Sequence, residues 1–146
     1  MTEVAFHFNV PDKLGYACRL VRKASASGAK VVVTGEAGLL EALDTQLWTF
    51  SEADFIPHCL AAAAPPQVLA ASPVVLADSP RGTPHHEVLV NLGEGGVPEG
   101  FERFERLIEL VADEEADRQQ ARVRWKHYKD RGYELKRHDV AGKEAR

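Results

Sequence analysis

The chain's 146 residues, 45% of them hydrophobic and 27% charged, describe one soluble globular domain with an ordinary core. No apolar run reaches the roughly 20 residues of a membrane span, and no basic segment precedes an apolar one at the N-terminus. Cys18 and Cys59 sit in separate segments, which excludes a disulfide framework and leaves the cytoplasm as the expected location.

In chain order, residues 3–9 alternate Val4, Phe6 and Phe8 with Ala5 and His7, the period of a strand. Pro11 and Asp12 then open a helix carrying Leu14, Ala17, Cys18, Leu20 and Val21, which ends at Gly28. KVVVT over 30–34 is a short β-branched run of the kind buried in parallel sheets. Leu39, Leu40, Leu43 and Leu47 follow at helical spacing. This strand, helix, strand, helix order predicts an open α/β sheet, mostly parallel, with helices on both faces.

The middle of the chain is less regular. Residues 48–60, WTFSEADFIPHCL, read as an irregular aromatic segment, and the alanines and Pro65-Pro66 after it read as a surface loop. Val68 and Leu69 form one candidate short strand, and Val74 to Leu76 another. DSPRGTPHH and GEGGVPEG are turn-rich breaks on either side of a strand, EVLVNL, at 87–92. The spacing of Phe101, Phe104, Ile108 and Val111 predicts an amphipathic helix. An acidic junction, DEEAD, leads into a basic helix that Gly132 stops. The domain is expected to span 1–138, with 139–146 a polar, disordered tail.

Charge is distributed unevenly. Residues 1–117 hold eight Lys and Arg against eighteen Asp and Glu, a balance of −10, whereas residues 118–146 hold ten against four, +6. A basic end on an acidic body marks an interaction surface for anions rather than a protein that wraps nucleic acid all round. Arg118, Arg122, Trp125 and Lys129 recur at i, i+4, i+7 and i+11 and so share one helical face. Guanidinium groups beside an indole suit an acidic partner that also has something apolar to bury. The plainer reading is a solvated helix whose cations keep the chain soluble.

Catalytic and cofactor patterns are weak by comparison. Neither GxGxxG nor GxxxxGK[ST] occurs, and the glycines of TGEAG read as a tight strand-to-helix turn. His85-His86-Glu87 lacks a second pair of metal ligands. His58-Cys59 adjacency is not nucleophile geometry, and Cys18 lies on an apolar helix face. Asp12 and Asp78 cannot be paired from sequence as acid and base. No catalytic residue, metal or cofactor is assigned.

Several segments together resemble the chi subunit of the bacterial DNA polymerase III holoenzyme over nearly the whole length. They are FHF in the first strand, GAKVVV, LDTQLWTFSEADFIPH, EVLVNL and ARVRWKHYKDRGYEL. The resemblance implies a Rossmann-like fold without catalysis, in an accessory protein of the clamp-loader complex. It also implies two partners: the acidic C-terminal tail of single-stranded DNA-binding protein, and the psi subunit, with DNA met only indirectly. By motif, Arg122 is the arginine for the tail's terminal carboxylate. Trp125 stands where the family usually has a tyrosine, Arg118 and Lys126 flank it as cations, and Lys129 extends the stripe. Val111, Trp48 and Phe55 complete the apolar wall. Direct binding of single-stranded nucleic acid, with Trp125 or Tyr128 stacking on bases, is the alternative, and a nucleotide-dependent enzyme the third.

Overall fold

The computed structural model describes residues 1–49 and 56–141. Its elements are β1 (Glu3–Val10), α1 (Lys13–Ala26), β2 (Val31–Thr34), α2 (Ala37–Thr49), β3 (His58–Leu60), α3 (Pro66–Ala71), β4 (Val74–Ala77), β5 (Val88–Asn91), β6 (Arg106–Ala112), α4 (Glu115–Asp130) and β7 (Leu135–Asp139). The strands form one sheet in the order β3-β4-β2-β5-β6-β1-β7, and every neighbouring pair is parallel. This is the predicted open α/β sheet, parallel throughout.

Two apolar layers hold it together. On one face α1 and α2 lay Ala17, Val21, Leu40, Leu43 and Leu47 over Val31, Val33, Val74 and Leu110. On the other, Ala121 and Tyr128 of α4, with Phe101 and Phe104, cover Val4, Phe6, Val32, Leu89 and Leu107. Val31, Val32 and Val33 are fully buried because successive side chains of a central strand enter both layers. Each such side chain contributes on the order of 1.5–3 kcal/mol.

Three stretches depart from the sequence reading. Residues 101–111 are not an amphipathic helix: a 3₁₀ turn at Phe101–Arg103 precedes strand β6. RLIELVA is buried on both faces from Leu107 to Val111, and periodicity cannot tell such a run from a buried helix. Val68 and Leu69 lie in helix α3, opened by Pro66 in its first turn, where a missing N–H costs nothing. Of the 48–60 segment, residues 50–55 lie outside the described residues, while α2 runs to Thr49 and His58–Leu60 adds strand β3 beside β4.

Residues 135–139 are likewise a strand, and of the expected tail, residues 142–146 lie outside the described residues. Residues 135–139 pair in parallel with residues 4–8 of β1, and Val140 is buried. Its LKRHD composition hid it, since an edge strand satisfies one side of its ladder and guards the other with charge. Gly132, at φ 81°, makes the reversal from α4 possible: Tyr133 N–H returns to Tyr128 C=O at 3.1 Å, the 6→1 bond of a Schellman stop.

Candidate functional site

Helix α4 carries more charge than apolar surface, so packing alone does not explain how it is held. Its inward stripe is Asp117, Ala121, Arg124 and Tyr128, at i, i+4, i+7 and i+11. Arg124 and Glu109 of β6 are both fully buried, with Nε donating to Oε1 at 3.0 Å. Asn91 Nδ2 donates to the same Oε1 at 2.9 Å, and Tyr128 O–H donates to Oε2 at 2.6 Å. Arg124 also reaches the Gly95 carbonyl at 2.9 Å. Burial pushes the Glu109 carboxyl above its ordinary range, and the Arg124 charge with the three donors pulls against that shift. Burial likewise raises the Tyr128 phenol, and the Glu109 charge adds to it.

The N-terminal end of α4 is fixed separately. Asp117 Oδ2 accepts from Ala112 N–H at 2.6 Å and from Lys13 Nζ at 3.0 Å, tying the helix to β6 and α1. The sequence reading placed an acid at this N-terminus, and Glu115 and Asp117 in the first turn fill that role.

Because the inward stripe begins at Asp117, the predicted stripe begins one residue further round, beside it. Arg118, Ala121, Arg122 and Trp125 form one side of an open groove of about 450 Å³. Phe6, Phe8 and Asn9 of β1, Val111 of β6 and Arg137 of β7 form the rest. The Trp125 indole is half-buried and stands edge-on to Phe6, ring centres 5.1 Å apart.

The arginines around this groove differ in how they are neutralised. Arg118 pairs closely with Asp113, lies 3.8 Å from Glu115 and donates to Asn9 Oδ1 at 3.2 Å. Arg122 pairs with Glu115 at 3.3 Å, but its side chain is 68% exposed. The Arg137 guanidinium lies 5.1 Å from the centre of the Phe8 ring. Apolar rings and guanidinium groups lining one groove can bury a hydrophobic side chain while meeting a carboxylate.

Of the residues singled out from sequence, the fold therefore brings Arg118, Arg122, Trp125 and Val111 together. Lys126 and Lys129 are exposed on α4 and do not line the groove. Trp48 is elsewhere: it is on α2, 59% exposed and edge-on to His58 near β3, at the far end of the sheet. Its neighbour Leu47 takes the inward position, which turns Trp48 outward. Phe55 lies outside the described residues. Sequence reasoning missed Phe6, Phe8 and Asn9 as groove residues, although the β1 alternation already put the two rings on one face. It missed Arg137 because LKRHD carries no apolar alternation to mark a strand, and it missed the Glu109–Arg124 pair because nothing in a single sequence joins them.

The other candidates have structural partners. His85 Nε2 meets the Ser72 carbonyl at 2.6 Å, and His86 meets Arg103 at 2.9 Å. Among the described residues no three potential metal ligands cluster. Burial pushes the Cys18 thiol up to about 11, with the Asp12 charge adding to it, so it stays protonated at neutral pH. The crevice at the carboxyl ends of β2, β4 and β5 is where a doubly wound sheet would take a nucleotide. Among the described residues it is lined by Glu36, Asp78 and Glu99 and by no Lys or Arg, which disfavours phosphate.

Comparison with known proteins identifies the family. Residues 1–136 match the family described as DNA polymerase III chi subunit, HolC. A Pseudomonas aeruginosa protein named DNA polymerase III subunit chi is 38% identical over 149 residues, covering 94% of this chain and 96% of that protein. One of the same name from Haemophilus influenzae is 29% identical over 127 residues, 85% of each chain. With residues 1–136 matched and a relative 38% identical over 94% of the chain, the chain belongs to the DNA polymerase III chi subunit family, accessory subunits of a replicative polymerase.

Proposed function

We propose that this chain is a non-catalytic adaptor that joins the clamp-loader complex to single-stranded DNA-binding protein by holding that protein's acidic C-terminal tail. The groove between α4 and β1 supports the reading, because it brings Arg122 together with Phe6, Phe8, Val111 and Trp125. Arg122 takes the terminal carboxylate in a charge-assisted fork, and the apolar lining takes an aromatic terminal side chain. Arg118 holds a supporting position, because its own acids occupy it. Lys126 and Lys129 act at longer range, drawing the acidic peptide in without touching it. The psi subunit is a further partner on another surface, DNA is met through the partner protein, and the setting is the bacterial cytoplasm at replication forks.

Calorimetric titration with a synthetic acidic peptide ending in Pro-Phe tests the reading, with and without the terminal Phe. Arg122→Ala is expected to weaken binding by roughly 1.5–3 kcal/mol, the range for hydrogen bonds to a charged group. Unchanged affinity would remove Arg122 from that role. Direct binding of single-stranded nucleic acid would instead appear as gel shifts on bare oligonucleotides with a steep salt dependence.

A further inference from the structure

The groove has two walls, and the cation on the second has no counterpart in the helical stripe. β7 lies beside β1 in parallel register, with Arg137 opposite Phe6. Leu135, two residues earlier, packs into the apolar layer beneath α4, so Arg137 shares that face of the sheet. Its guanidinium rests 5.1 Å from the centre of the Phe8 ring, a contact that limits its freedom and leaves its N–H groups unspent. Arg118 and Arg122 are each paired with acids of their own segment. Arg137 forms no ion pair among the described residues. It is therefore the groove arginine whose charge is least compensated.

We propose that Arg137 is a specificity-determining residue of the groove, a second anion receptor that reads an acidic side chain of the bound peptide while Arg122 takes its terminal carboxylate. This rests on the peptide-binding reading above and adds a requirement to it. The preferred ligand carries two acids, its free end and a side-chain carboxylate, on either side of an apolar residue seated on Phe6, Phe8 and Trp125. Two guanidinium groups held on different elements, α4 and β7, distinguish such a peptide from one with a free end alone. The ring contact also makes lysine a poor replacement, since an ammonium lacks the planar fork.

The test is calorimetry on the full chain with three versions of an acidic peptide ending in Pro-Phe: unmodified, amidated at its C-terminus, and with its Asp residues changed to Asn. Arg137→Gln is expected to weaken the unmodified peptide about fivefold to tenfold, between the values for an exposed ion pair and a charged hydrogen bond. With the Asn peptide the variant and the wild type should bind alike. Amidation should cost both proteins the same factor, since the terminal carboxylate belongs to Arg122. Arg137→Lys should fall between wild type and Arg137→Gln. The thermal midpoint should move by no more than about 2 °C, as for an exposed substitution, which separates the effect from unfolding. If the wild type binds the unmodified peptide and Arg137→Gln binds it equally well, the proposal fails and the adaptor reading stands. An equal loss on the Asn peptide overturns it too. If the wild type binds none of the three, both fall.

Discussion

Replacing Arg124 by Met keeps most of the side-chain volume and removes the charge that faces Glu109. Both members of that pair are fully buried, and Arg124 also donates to the Gly95 carbonyl at 2.9 Å. Removing one partner of a buried pair leaves the other charge without compensation, at about 3–5 kcal/mol. Asn91 and Tyr128 still donate to the Glu109 carboxylate, and the group can escape by taking a proton, so the lower end of that range applies at acid pH. The sign follows from its pKa. Glu109 is already pushed up by burial, and losing Arg124 pushes it further. A carboxyl raised in the folded state is no burden below its unfolded pKa, where both states are protonated. Its cost grows as pH rises through the folded value. Chemical denaturation of Arg124→Met and wild type at pH 5 and pH 8 should therefore show a loss that is larger at pH 8. Adding Glu109→Gln should recover part of it, because no buried charge then remains. A loss below about 1 kcal/mol, or one independent of pH, would falsify the view that this pair seats α4.

Two other substitutions probe the neighbouring contacts. Asp117→Ala removes the acceptor for Ala112 N–H and the partner of Lys13, so urea unfolding should show a loss of about 2–4 kcal/mol; a change under 0.5 kcal/mol would detach the helix start from this contact. Trp125→Tyr should hold the acidic peptide within about threefold of wild type, whereas Trp125→Ala should lose about tenfold or more, because the groove needs a ring against Phe6. Equal losses for the two, measured in the same titration, would show that the indole N–H rather than the ring surface is what the ligand uses.

How far the primary structure could be read depended on where each residue's partner lies in the chain. KVVVT announced a buried parallel strand because its own composition requires burial on both faces, and Leu39, Leu40, Leu43 and Leu47 announced a helix by their spacing. The basic stripe of α4 was legible for the same reason: i, i+4 and i+7 neighbours are set by helical geometry before any tertiary contact forms. Four of the anticipated groove residues, Arg118, Arg122, Trp125 and Val111, do line one cavity.

Features fixed by near neighbours in the chain were local: the order of the first strands and helices, the acidic body and basic end, and the face on which the α4 cations lie. Which residues meet them was set by long-range packing. RLIELVA became a strand rather than a helix because β1 and β5 flank it on either side. LKRHD became a strand because β1 had a free edge to offer. Arg137 reached the groove by that pairing, Trp48 was carried to the far end of the sheet, and Glu109 found Arg124 and Tyr128 on α4. Helical periodicity is written in neighbouring residues. Parallel pairing and buried charge compensation join residues far apart in the chain, and their outcome depends on the whole sheet being assembled.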